Sequence, residues 1–542
     1  MFPVFALFLW IVGLQIRQDV PRASVDGVVV RAGAAAAAAP EALMNAQVEI
    51  RPGNLSVSTD MSGAFSFRYL PPGNYTISVT HAGFVPLEDA RRGLTASGLT
   101  LTLTAGLAVK NIVLPMIPAP VITGTVFDPN GEPLAAALIR AYVREYSPYG
   151  TKLKIFKKAM TDDMGEFRLF GLRFGEYYVS AGYSDRDRAA AIGKTQLSEN
   201  VSKADEGYAT VFYDGAEELS RARATRLTPG TDSSPVNIYL KDSARFKIRG
   251  QVLPKVPGRR IIFVPKGSDL AEEKSFLEPD ANDTFEIRAV SPGSYLLLAL
   301  TADGSLCSAV VTLNITDSDI EGITLAMVPT LLVSGSLTQE GNARANLSKF
   351  RIKLVRSTTE FDQTFDTVTA PDGTFSLDQI PFAEYDVAVG PLPAGLYVKS
   401  VFAGGRSFLD GGYRPVLGQP LQIVLATATD NLQVTVQKDS NPAAGALVVL
   451  VPQPPLRHRA DRYITGSTDA NGSLILNAVP PGRYTAYAFE EIEAGAYYAL
   501  GSTPGTDVRF SDRQVPLTIG ENGTKAIQLR LIPAAVTAGG FR

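Results

Sequence analysis

The chain has 542 residues, 45% of them hydrophobic and 19% charged, with a formal net charge of −3. That length exceeds what one hydrophobic core can serve, and the nearly balanced, mixed charge offers no sustained basic surface for nucleic acid. With one cysteine, Cys307, the chain has no internal disulfide framework and no CxxC metal or redox motif.

Residues 2–14 form an apolar run of signal-peptide length, too short to span a membrane comfortably, and residues 1–23 are expected to direct export. The run has no early lysine or arginine and no clear small-x-small cleavage site, so a buried first strand or a wrongly assigned start is the alternative. No later stretch reaches the length of a membrane helix. The mature protein is therefore expected in the periplasm, on the cell surface or outside the cell, without an integral membrane span.

Residues 59–75 then introduce a pattern that returns at 161–177, 279–295, 370–385 and 468–484. Each copy keeps an aromatic residue or leucine ten positions before a tyrosine: Phe65/Tyr75, Phe167/Tyr177, Phe285/Tyr295, Phe375/Tyr385 and Leu474/Tyr484. Constant spacing in units about 100 residues apart marks repeated domains. An Asp-x-x-Gly step (Asp60/Gly63, Asp162/Gly165, Asp469/Gly472) supplies a turn in which the aspartate bonds its own backbone and glycine accepts positive φ. Alternation as in Phe65, Ser66, Phe67 predicts a strand with one face on a core. A proline-glycine turn follows, and the tyrosine after it is expected to bury its ring and send its hydroxyl to nearby backbone, as in the tyrosine corner of Greek-key sandwiches.

Taken in order, the repeats set boundaries at 24–118, 119–243, 244–329, 330–428 and 429–534, with a tail at 535–542. Repeat 1 has an alanine-rich insert at 34–39 and ends in a stiff spacer, Pro115 to Pro120. Repeat 2 contains a polar insert, residues 184–230. Repeat 3 puts Asp283 where the turn glycine stands elsewhere. Repeat 4 has Pro381 to Glu384 in place of the Pro-Pro-Gly turn, and repeat 5 returns to the full pattern. Forty-eight glycines and 36 prolines among short apolar runs fit an all-β chain. Connections of a few residues predict an elongated, stiff arrangement.

Gly124, Gly131, Pro133, Asp162, Gly165, Phe167, Gly175 and Tyr177 together resemble the carboxypeptidase regulatory-like domain, and repeat 5 does so too. The resemblance, to a family similar to transthyretin and the Cna-B domains, implies a tandem array of about five Greek-key, transthyretin-like β-sandwiches. It implies a fold and no reaction. Cna-B relatives often carry a lysine-asparagine cross-link promoted by an acid four residues after the strand tyrosine. Val79, Ala181, Ala299, Val389 and Ala488 occupy those positions here, so Lys438 of repeat 5 reads as a solvated lysine.

Catalytic sets are sparse. His81 and His458 stand in different repeats, outside any HxxE or HExxH motif, which removes a zinc peptidase. There is no G-x-S-x-G elbow, no phosphate-binding loop and no dinucleotide fingerprint. Asp128/Asn130, Asp162/Asp163, Asp280/Asn282/Asp283 and Asp469/Asn471 have calcium-compatible oxygens, but each also has the composition a tight turn requires.

Recognition is expected in the departures from the repeat, because loops on a rigid scaffold carry function. The foremost is a predicted hairpin in repeat 2, where Tyr146, Tyr149 and Phe156 join Lys152 and Lys154 in one segment suited to a sugar or an anionic polymer. Weaker departures are the insert around Tyr208, Phe212 and Tyr213, the glycine-rich aromatic stretch from Phe402 to Tyr413, and Tyr497 with Tyr498. The chain reads as a non-catalytic exported scaffold, adhesive or carbohydrate-binding, with no cofactor or metal. Its partner would be a glycan, another envelope polymer or an envelope protein. The alternative is an accessory or substrate-docking subunit for a separately encoded envelope enzyme or transporter.

Overall fold

The computed structural model describes residues 21–32, 41–87, 98–183, 208–217, 221–228, 234–242, 244–266, 275–341, 346–356, 363–493, 495–500, 510–520 and 525–534. The apolar run 2–14, the alanine insert 34–39, residues 184–207 of the polar insert and the tail 535–542 lie outside them. The described elements are strands and three short 3-10 turns, an all-β architecture. The chain divides into two compact bodies, residues 1–91 with 95–119, and 92–94 with 120–542.

In the first body, strand Ala23–Arg31 lies between the antiparallel strand Ala64–Leu70 and the parallel strand Ala108–Pro118. Its second sheet runs Leu55–Ser58, Gln47–Arg51, Gly73–Thr80, Leu99–Leu103, all antiparallel. Alternate residues such as Val25, Val48, Ile50, Phe65, Phe67 and Ile77 point between the sheets and close the core. Two boundary expectations shift. Ala23, expected as the last residue of a signal segment, begins the first strand with 1% exposure. Pro115 and Pro118, expected in a spacer, belong to the last strand, whose parallel partner extends the ladder through Arg31 and Met116.

The second body repeats this plan. An opening strand is flanked by an antiparallel hairpin strand and a parallel closing strand in Phe246–Leu253, Leu331–Gln339 and Asp430–Lys438. Strand Ile122–Phe127 does the same, with a closing strand shortened to Ile238–Tyr239. Separate buried clusters centre on Phe285 and Leu297, on Phe375 and Tyr385, and on Leu476 and Tyr484. The described parts of the polar insert contain two strands, Tyr208–Phe212 and Thr225–Leu227, which both pair with Gly175–Tyr183.

All five repeat tyrosines form the expected corner. The hydroxyls of Tyr75, Tyr177, Tyr295, Tyr385 and Tyr484 donate to the carbonyls of Pro71, Arg173, Ser291, Pro381 and Pro480 at 2.8–3.0 Å. The aspartate turns form as well, with Asp60, Asp162, Asp280 and Asp469 each accepting two backbone N–H groups through Oδ1. In repeat 3, Asp283 takes φ +69 where the others use glycine, and Arg259 pairs with its carboxylate at 2.6 Å. A recurring device absent from the sequence reading is a buried threonine just before that turn. Thr59, Thr161 and Thr468 each donate to one backbone carbonyl and accept one backbone N–H, which ties two loops together.

Among the described residues, the smaller sheet of repeat 4 has no full fourth strand. Thr364–Val368, Arg351–Arg356 and Tyr385–Gly390 form three strands, and beyond Tyr385–Gly390 a single bridge is found among the described residues, from Tyr413 to Tyr385. An open edge needs cover.

Candidate functional site

The cover for that edge comes from repeat 5. Residues 456–462 make two 3-10 turns, Leu456–His458 and Ala460–Arg462, that press against repeat 4. Arg459 Nη1 donates to the Val387 carbonyl at 2.7 Å on one sheet. On the other sheet Asp461 Oδ2 accepts the Val398 N–H at 3.1 Å, and Arg462 Nη2 donates to the Val398 carbonyl at 2.8 Å. Two side chains thus supply the donor and acceptor that a neighbouring strand would give. Arg459 and Arg462 are each 3% exposed, and Asp461 pairs with Arg459 at 3.1 Å, so charges that would be costly alone are buried with partners.

The repeat 2 hairpin meets the same region. Strands Leu138–Ser147 and Gly150–Met160 pair with Tyr146 opposite Thr151, Glu145 opposite Lys152 and Val143 opposite Lys154. Tyr146, 7% exposed, packs into a cluster on repeat 5 that includes Val449, Tyr487, Phe489, Ile492 and Phe510. Its hydroxyl donates to Glu493 Oε2 at 3.1 Å. Burial pushes the Tyr146 phenol up, and burial likewise raises the Glu493 carboxyl against the opposing effect of that hydrogen bond. Tyr149 is half-buried, its phenol pushed up to about 12 by burial and then by the nearby Asp386 carboxylate of repeat 4. These contacts join repeats distant in sequence, which a string of neighbours touching end to end would not contain.

Side chains alternate across a strand, so the five candidate residues separate. Tyr146 faces repeat 5, whereas Lys152 and Lys154 lie on the opposite face and are exposed. Lys152 has Glu145 at 3.7 Å. Phe156, at a register shift, is 36% exposed with its ring edge-on to the corner tyrosine Tyr177 at 5.7 Å. Of the weaker candidates, Tyr497 and Tyr498 join Tyr463 in one internal aromatic cluster, and Tyr413 is 1% exposed. Phe402 stays open at 38%.

The residues with chemical potential stand apart. Among the described residues no three His, Cys, Asp or Glu side chains are grouped to hold a metal ion. His81 lies in the first body against Phe84, and His458 Nε2 is 3.2 Å from the Leu409 carbonyl and 3.8 Å from Asp386. Cys307 is buried, and burial raises its thiol. No described helix is long and apolar enough to cross a membrane.

Residues 24–112, the sandwich of the first body, match the carboxypeptidase regulatory-like domain family. No match is found among curated proteins. Among solved structures, the Bacillus anthracis TIE protein is 10% identical, with 76% of this chain and 74% of that one covered and a TM-score of 0.16. BcpA, the major pilin subunit of Bacillus cereus, is 13% identical, with coverage of 76% and 99% and a TM-score of 0.15. The shaft pilin SpaA from Lactobacillus rhamnosus GG is 13% identical, with coverage of 41% and 98% and a TM-score of 0.21. At such scores nothing about the action of this chain follows from these three. The matched stretch has the repeat pattern in full: the Asp60 turn, the Phe65 strand and the Tyr75 corner.

Proposed function

We propose that the protein is a non-catalytic, exported scaffold of five sandwiches, bounded near residues 118, 243, 329 and 428, that holds an anionic polymer of the cell envelope. The observation that supports this reading is the division of labour in the repeat 2 hairpin: its tyrosine side is fastened to repeat 5, while Lys152 and Lys154 are left exposed on the other side. Phe156, partly exposed beside them, offers a ring face for a sugar. Tyr146 and Tyr149 act as anchors of the hairpin in this reading, and the ligand meets the lysines. Exposed lysines attract a polyanion in a manner that salt screens.

The test is retention of the full chain on immobilised polyglycerol phosphate at low and high salt. Retention that weakens with salt, and falls for the pair Lys152→Glu and Lys154→Glu, supports the reading. Retention unchanged by those substitutions refutes the hairpin's part in it. Absence of polymer retention together with co-purification of an envelope enzyme or transporter supports the accessory role instead.

A further inference from the structure

Repeat 4 turns a flat, uncharged row of side chains to solvent. Its larger sheet runs Thr374–Ile380, Leu331–Gln339, Leu421–Thr427, Leu396–Ala403, Arg406–Ser407. The register sets Thr374 beside Ser336, Ser336 beside Gln422, Gln422 beside Phe402, and Phe402 beside Ser407. These positions alternate with core residues such as Leu337, Phe375, Leu421 and Val401, so the row points away from the core. Thr374, Gln422 and Ser407 are exposed, and Phe402 is 38% exposed. The adjoining row is Thr338, Val424 and Ser400.

The same row of repeat 3, Thr284, Gln251 and Thr324, is uncharged too, and the row beside it has Arg249 paired with Glu286 and with Glu321, each at 2.6 Å. In the first body Arg68 pairs with Asp26 at 3.0 Å. The two rows of repeat 4 contain no ionisable side chain themselves, although Lys399 pairs with Glu340 at 2.6 Å in the next row and Thr374 Oγ1 donates to Asp372 Oδ1 at 2.7 Å at the margin. At one end the face is closed by repeat 5, where Ala478 packs on Tyr397, Ala426 and Ala428. At the other it rises into a cleft of about 520 Å³ lined by Phe402, Gly404, Gly405, Gln419, Pro420 and Gln422. Gly404 and Gly405, at φ +54 and +78, make the tight turn on one side of the cleft, and Gln419 lies against Gly404 on the other.

We propose that this face and cleft bind a neutral polysaccharide. The aromatic ring of Phe402 covers the C–H face of a sugar. The carboxamides of Gln419 and Gln422 and the hydroxyls of Ser336 and Ser407 each donate and accept, as vicinal sugar hydroxyls require. Five strands at ~4.8 Å spacing make a row of about 19 Å, room for an extended chain of several sugar rings. The rows themselves offer no cation to a polyanion, which distinguishes this site from the lysine face of repeat 2. The assignment rests on the reading of the chain as a non-catalytic, polymer-holding scaffold and is independent of the hairpin.

The test is affinity electrophoresis of the full chain through gels containing a mixed-linkage glucan, a galactomannan or a dextran. At least one of the three retards the wild type, and Phe402→Ala and Gln422→Ala each weaken that retardation, the former about tenfold. Both positions are exposed, and unchanged thermal unfolding verifies that the variants fold. The pair Lys152→Glu and Lys154→Glu leaves retardation by the neutral polymer unchanged, so failure at the hairpin is separable from failure here. Retardation by none of the three polymers, or retardation indifferent to Phe402 and Gln422, overturns the proposal.

Discussion

Gly27 lies directly beneath the ring of Phe65, its partner across the strand pair: a Cβ added to Gly27 would stand 2.6 Å from Phe65 Cζ and 2.5 Å from the Ile112 carbonyl oxygen. The same pairing recurs in Gly124/Phe167, Gly250/Phe285 and Gly335/Phe375. In repeat 5 both members change together, and Val434 faces Leu474. Side-chain volume is exchanged between the two strands while the space between them is kept, as close packing requires.

That exchange predicts a compensated pair. Gly335→Val alone overpacks the site and costs ~1–3 kcal/mol, and Phe375→Leu alone leaves a void costing about 1 kcal/mol or more. The double variant is expected to be more stable than the sum of the two by at least about 0.5 kcal/mol. Urea unfolding of the four proteins measures the coupling, and simple additivity contradicts it.

Arg459 is buried with Asp461 and the Val387 carbonyl as partners. Removing it leaves Asp461 with only the more distant Arg462, at 3.9 Å, as counter-charge and leaves the Val387 carbonyl without its donor, so Arg459→Ala is expected to cost ~3 kcal/mol. Replacing exposed Arg414, whose pair with Glu384 is at the surface, is expected to change stability by less than about 1 kcal/mol. Thermal unfolding of both variants gives the comparison.

The tyrosine corner predicts a smaller, repeated effect. Tyr385→Phe keeps the ring and leaves the buried Pro381 carbonyl without its donor, a loss of ~1 kcal/mol. Tyr484→Phe, which frees the Pro480 carbonyl in the same way, is expected to match it. Chemical denaturation of the two variants is the check.

Two sets of carboxyls respond to acid with opposite sign. Burial raises the folded-state pKa of Glu493 above its ordinary 4.5. Its favourable contribution is therefore complete below pH 4.5 and is lost as pH rises through the raised value. The turn aspartates behave the other way. Serine and threonine side chains and backbone N–H groups hold Asp60 and Asp280 below 3.8, so their contribution is present above pH 3.8 and disappears as pH falls through the lowered values. Urea midpoints of the wild type and of Glu493→Gln across pH 4 to 7 are expected to converge at the acid end and to separate, with the variant more stable, as pH rises. Parallel midpoints contradict this.

The corner tyrosines, the aspartate turns and the alternating hairpin strands were legible because each depends on residues a few positions apart. The glycine beneath each phenylalanine was in plain view in Gly27, Gly124, Gly250 and Gly335, but its reason appears only when the opening strand is set beside the hairpin strand. The threonine device had a local signal, Thr59, Thr161 and Thr468 one residue before the turn aspartate, that composition alone does not explain. The candidate hairpin was placed as a strand pair by its sequence, whereas the fate of its tyrosines was not. Tyr146 meets Glu493 across 347 positions, and strand alternation assigns Tyr146 and Lys152 to opposite faces only after the register is fixed. Repeat 4's open edge arises from a shortened final strand pairing, which the substitution at Pro381 to Glu384 does not announce.

The fastening of the repeat 2 hairpin onto repeat 5 is tested most directly by native-state hydrogen exchange of the full chain and of Tyr146→Ala. If the hairpin is an anchor, the variant loses amide protection at Tyr463, Tyr498 and Leu500, more than three hundred residues from the substitution, as well as in the hairpin itself. Loss of protection confined to residues 138–160, with those three amides unchanged, would contradict it.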